Sequence, residues 1–198
     1  MKIIKIDASF FLTLFLVVAS GNLQTYIAYL TAIFIHECGH LLMASHFKWK
    51  LTAFKLTGIG GFLFFSTNLL QPSIQKFAVA SAGILMNLFM LIIFAILRAP
   101  EQLIYAQIAI IYFNLIPITP LDGSQMLQAI FMQKIGFVAT VKWIKKLNIL
   151  FLSFFLIYMI YRQLTQYAIV FIVLAVHVYR FHQESRLLLI HYFAQKHR

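Results

Sequence analysis

Apolar residues dominate the chain in six stretches, at 10–20, 25–44, 77–97, 102–118, 147–161 and 164–179. A straight helix needs about 20 residues to cross the hydrocarbon of a bilayer, with a range of about 17–25. The second and third stretches meet that length. The first, fifth and sixth run short and must borrow flanking residues or sit in locally thinned bilayer. Tight turns are expected at Gly21–Asn22 and Arg162–Gln163. The pattern predicts an α-helical integral membrane protein with six transmembrane helices.

Residues 51–67 break this rhythm. They read LTAFKLTGIGGFLFFST, where Gly58, Gly60 and Gly61 interrupt any helix among β-branched and aromatic residues. A strand or hairpin is predicted, embedded in the membrane between the second and third spans. Non-helical backbone at that depth is tolerated where it lines a cavity or packs in protein. Its edge could pair with an unwound peptide. A simple apolar loop on the membrane surface is the alternative.

Composition agrees with a membrane protein. Hydrophobic residues make up 62% of the 198 and charged residues 11%, against about 25% in soluble domains. No secretory signal peptide is evident, and the stretch after Lys2 and Lys5 reads as a first span or anchor. The single cysteine, Cys38, cannot form an internal disulfide. The net charge of +11 is not a nucleic-acid signature, because of where it lies. With a cytoplasmic N-terminus, fourteen of the sixteen lysines and arginines fall on the inner side, and only Arg98 and Arg162 fall outside. The positive-inside rule therefore predicts both termini in the cytoplasm.

The second stretch contains His36-Glu37-Cys38-Gly39-His40. Residues four apart share a helix face, so His36 and His40 can address one metal ion, and Glu37 is placed to accept a proton from water. Ionisable side chains inside a span are costly, and they mark a functional site by default. The fourth stretch ends in Asn114-Leu115-Ile116-Pro117-Ile118-Thr119-Pro120-Leu121-Asp122-Gly123. Two prolines three apart exclude a regular helix there and free backbone carbonyls, which Asn114 could bond, as it could a substrate. Asp122 then falls at the same side of the membrane as the histidines and supplies a carboxylate as third ligand of a zinc site.

These paired motifs resemble the site-2 proteases, a family of intramembrane zinc metalloproteases. The resemblance implies zinc held by His36, His40 and Asp122, with Glu37 as the general base. It also implies that Asn114 lies in a substrate cleft, with Pro117, Gly60 and Gly61 as further substrate-binding positions. Within the family the chain looks most like the stage IV sporulation protein FB type, which cleaves a membrane-tethered sigma-factor precursor. Ala82-Gly83 in the third span and the basic, aromatic stretch 179–192 share in the likeness. Ile84 stands where the family often has proline. Members of that type usually continue into a nucleotide-sensing CBS domain, whereas the sequence here stops at Arg198, so regulation by such a domain is not carried over. The implied location is a bacterial cell membrane. The implied partners are a membrane-tethered protein substrate, membrane-protein inhibitors or regulators, and the lipid bilayer, with a homo-oligomer allowed.

The expected organisation is a six-span protease domain at 1–179 followed by a basic amphipathic cytoplasmic tail at 180–198. Cys38 reads as a packing residue and Asn87 as a hydrogen-bonding group within the bundle. His46, His177, His182, His191 and His197 read as interfacial or tail residues. A metal-ion transporter would need polar ligands along a path across the bilayer, but within the membrane sequence the acidic groups are Glu37 and Asp122, both near one side. A different membrane H-E-x-x-H metalloprotease would take a downstream Glu as its third ligand, and the predicted topology puts Glu101 on the opposite face.

Overall fold

The structure, a computed structural model, describes residues 3–6, 21–57, 60–65, 72–164 and 168–196. Two compact units divide the chain, Met1–Asn114 and Leu115–Arg198. The first contains strand β1 (Ile3–Ile6), helix α1 (Leu23–His46), the strands β2 (Leu51–Thr57) and β3 (Gly60–Phe65), and the helices α2 (Ser73–Ile96) and α3 (Glu101–Leu115). The second contains helix α4 (Asp122–Tyr161) and helix α5 (Ala168–Lys196).

The long apolar stretches form helices because every backbone N–H and C=O must find a partner where water is absent. By length and composition α1, α2 and α4 can each cross a membrane, with mean hydropathies of 1.4, 2.4 and 1.6. Many of their large apolar side chains face outward, among them Phe34, Leu42, Phe89, Ile92, Phe154 and Ile157. Facing lipid costs such side chains nothing. Three candidate spans are thus found among the five described helices, where six spans were expected along the whole chain. The first expected span, at 10–20, lies outside the described residues. The fourth stretch yields α3, a helix of 15 residues that ends before Pro117, because a proline inside a helix removes a donor and clashes with the preceding turn.

Residues 123–146, between the fourth and fifth apolar stretches, are helical and continue into the fifth stretch. They contain no proline and are rich in Gln, Met, Ala and Lys, which favour helix. The one interruption is Gly136, at φ 77° and ψ 171°, a conformation that an L side chain rarely adopts. The expected turn at Arg162–Gln163 is present, with Leu164 N–H bonded to Met159 O. From there α5 runs without a break past residue 180, the expected start of the tail. The amphipathic reading of the tail rests on side chains outside the described ones.

The predicted hairpin is there. β2 and β3 pair antiparallel, with Thr57 opposite Gly60 and Phe54 opposite Leu63. An irregularity between Leu51 and Ala53 shifts the register at the far end. β1 was not expected; it lies parallel to β2, with Ile3 opposite Ala53 and Ile6 opposite Leu56. Three isoleucines and one lysine carry little sequence signal at that length, so the partner strand decides the conformation.

Small residues set the helix packing in the first unit. Ala28 and Ala32 of α1 meet Ala106 and Ile110 of α3, and Ile33 and Leu103 pack against them. Against α2 the approach is closer still. A Cβ placed on Gly39 would lie 2.4 Å from the backbone oxygen of Ala82, so only glycine fits. Gly39→Ala should therefore force α1 and α2 apart and cost about 1–3 kcal/mol, read as a lower thermal midpoint in detergent.

Candidate metal centre

His36 and His40 are buried on one face of α1, as their spacing requires. The opposing face of α2 is also built on four-residue steps, Val79, Gly83 and Asn87. The two helices run antiparallel there, so His36 meets Asn87 while His40 meets Val79. Gly83 is the floor between these contacts. A Cβ at that position would come within 2.6 Å of His40 Nε2 and 2.7 Å of His36 Cε1. Glycine there leaves room for both imidazoles.

The hydrogen bonds assign the tautomers. Asn87 Nδ2 donates to Ala32 O at 2.9 Å and to Gln107 Oε1 at 2.5 Å. Its Oδ1 is therefore the atom facing His36 Nδ1, 2.6 Å away, and can only accept. Likewise the Val79 carbonyl, 2.8 Å from His40 Nδ1, can only accept. Both histidines thus commit an Nδ1–H to these partners, which leaves Nε2 as the ring atom each turns toward the other. Those two Nε2 atoms stand 3.1 Å apart with the rings edge to face. Two imidazole nitrogens converging in a buried site are suited to sharing a cation. Zinc–nitrogen bonds of about 2.0–2.1 Å in tetrahedral geometry set two ligand nitrogens roughly 3.3 Å apart, so the spacing fits such an ion.

Asp122 adds the charge. One ligand atom from each of His36, His40 and Asp122 lies within 4.8 Å of the others, and all three residues are buried. Two neutral imidazoles and one carboxylate are a donor set that suits zinc and leaves a coordination position open.

The backbone before Asp122 is held by a residue that the sequence did not single out. Asn148 Oδ1 accepts from Thr119 N–H at 3.0 Å, and Asn148 Nδ2 donates to Thr119 Oγ1 at 2.9 Å. Both residues are buried. This two-point bond anchors the irregular segment 116–121, which contains a cis Thr119–Pro120 bond. Asp122 then opens α4, after Leu121 in extended conformation. Gly123 permits the entry, since a Cβ there would lie 2.3 Å from Leu115 O.

Glu37 is half-buried, one residue from His36. β3 passes close to it: a Cβ on Gly61 would sit 3.2 Å from Glu37 Cγ and 2.9 Å from the Phe54 ring. Gly60 is paired with Thr57 at the start of the same strand. Asn114 is half-buried near the end of α3, with its Nδ2 turned onto its own helix at Ile110 O. Pro117 is half-buried in the segment that follows.

No protein-family model matches the chain. Stage IV sporulation protein FB of Bacillus subtilis (strain 168) is 28% identical to it over 126 residues, 60% of this chain and 44% of that protein. The match thus spans less than half the length of the curated relative. The solved structure of a site-2 protease from Methanocaldococcus jannaschii superposes with a TM-score of 0.68, covering 92% of this chain and 90% of that one at 22% identity. At that identity the likeness speaks for the fold.

The chain has the fold of a site-2 protease.

In this site-2 protease fold, two supporting residues carry no motif that would mark them in the sequence. Gln107 is a polar residue in an apolar helix, and it bonds Asn87, which in turn orients His36. Asn148 is another isolated polar group in an apolar stretch. Their polarity was the available signal, but their partners are distant in sequence. Removing the acceptor for His36 should loosen the ion. Asn87→Leu is expected to weaken zinc retention against a chelator about 10–100-fold, and Asn87→Asp, which keeps an acceptor, to weaken it less.

Proposed function

We propose that this protein is an intramembrane zinc metalloendopeptidase that hydrolyses a peptide bond in or near a transmembrane segment of another protein. The observation that carries the reading is the pair of buried histidine Nε2 atoms facing each other at 3.1 Å, with the Asp122 carboxylate close by. His36, His40 and Asp122 would hold one zinc ion per chain. When bound, zinc supplies the Lewis acidity that activates water and polarises a peptide carbonyl.

The chain's own residues do the rest. Glu37 takes the proton from the attacking water and returns it to the leaving amine, as a general base and then a general acid. A helical substrate hides its carbonyls in its own hydrogen bonds, so it must unwind before it is cut. β3, with Gly60 and with Gly61 against Glu37, is the strand beside which an unwound segment can lie extended. Asn114 and Pro117 complete the substrate-binding set, and for Asn114 this requires its amide to turn from Ile110 O or to offer its oxygen.

The substrate class we favour is a membrane-tethered regulator, such as a sigma-factor precursor. This follows from the likeness to stage IV sporulation protein FB. The charge distribution supports a multi-pass protein of a bacterial cell membrane, with both termini and the opening of the site on the cytoplasmic side.

Two variants test the reading. Glu37→Gln should retain zinc and lose cleavage of a tethered test substrate by about 10²–10⁴-fold. Asp122→Ala should lose most of the zinc found in the native protein. Full zinc content without Asp122 would remove the third ligand from the proposal, and undiminished cleavage by Glu37→Gln would remove the general base.

A further inference from the structure

After the break at Gly136, the helix α4 resumes with a basic and aromatic turn before it becomes apolar. Two adjoining recesses open there. One, of about 320 Å³, is lined by residues 135–139 and Lys142. The next, of about 330 Å³, is lined by Ala139, Lys142, Trp143, Lys145 and Lys146, so Ala139 and Lys142 border both. Lys142 and Lys146 share a helix face by their spacing and are exposed. Lys146 Nζ lies 5.3 Å from the centre of the Trp143 ring, over its face. Lys145 serves as a wall, since its Nζ donates to His182 O on α5 at 3.4 Å.

The acidic residues of this unit are Asp122 and Glu184, and neither lines the recesses. The lining is therefore cationic without a carboxylate of its own. Trp143 is 52% exposed, although an indole of that size gains from cover. One turn beyond Lys145 and Lys146, Ile149 and Leu150 are exposed at 55% and 63%. The order along the helix is thus glycine break, lysines with tryptophan, then apolar surface. Tryptophan and lysine favour the headgroup level of a bilayer, and apolar side chains its hydrocarbon. A soluble anion would satisfy the lysines but would leave Ile149 and Leu150 uncovered. A molecule with both a phosphate and acyl chains satisfies both.

We propose that the Lys142–Trp143–Lys146 recess binds the phosphate of an anionic phospholipid, whose acyl chains run along α4 past Ile149 and Leu150. Lys142 and Lys146 hold the phosphate, and Trp143 packs on the glycerol region.

The test uses the full chain in nanodiscs containing equal amounts of phosphatidylglycerol and phosphatidylcholine, with the lipid retained on the protein counted by native mass spectrometry. Phosphatidylglycerol should be retained in preference to phosphatidylcholine. K142Q/K146Q should weaken that retention about 30-fold, and each single substitution about fivefold, at the usual contribution of a lysine near an anionic surface. K142R/K146R should keep it, as should K48Q/K134Q, which removes the same charge from positions outside the recess. The single variants decide the matter if the double glutamine variant does not fold, with zinc content as the check on folding. Equal retention of both lipids, an equal loss in K48Q/K134Q, or displacement by added inorganic phosphate would each overturn the proposal.

Discussion

Two buried imidazole nitrogens facing each other at 3.1 Å are the constraint on which this structure depends. Each ring's Nδ1–H is committed elsewhere, to Asn87 Oδ1 or to Val79 O, so Nε2 is the atom it presents to the other ring. In a buried site, two such nitrogens at 3.1 Å are well placed to share a cation. The folding of α1 against α2 serves that arrangement. Gly39 lets the two backbones close, and Gly83 removes the one side chain that would occupy the space of the rings. Asn87 and Gln107 extend the network to α3, so that His36 is oriented by a chain of buried amides.

Irregular backbone poses the opposite problem in an apolar setting, since its polar groups lack helical partners. The segment before Asp122 meets this with side chains: Asn148 bonds both the N–H and the hydroxyl of Thr119. The bond from Leu121 N–H to Ile118 O closes the turn from within. A carboxylate that must reach a metal gains from such anchoring, because a ligand held in place loses less entropy on binding. The hairpin satisfies its backbone differently, by pairing β2 with both β1 and β3. That leaves Gly61 free to approach Glu37 without a side chain in the way.

The ligand set was legible because polar groups are expensive in a membrane and metal chemistry is selective about spacing. Histidines at i and i+4 on an apolar helix, and an Asp-Gly after two prolines, would not persist there without an ion to justify their cost. The hairpin was legible from its glycines and its β-branched and aromatic residues. The helix at 123–146 was not, because its lysines look the same in a solvated loop as on the rim of a helix. Nor was β1, whose four residues become a strand only when β2 lies beside them.

By itself, then, the sequence determined the helical membrane class, the candidate ligands and the presence of the hairpin, since each rests on composition or on spacing within one element. The tertiary structure decided which nitrogen of each histidine faces the cluster, that Asn87 and Gln107 orient His36, and that Asn148 secures the approach to Asp122. These are contacts between groups roughly 20–50 residues apart. No local periodicity records such a pairing, and a lone amide in an apolar helix reads the same whichever partner it finds.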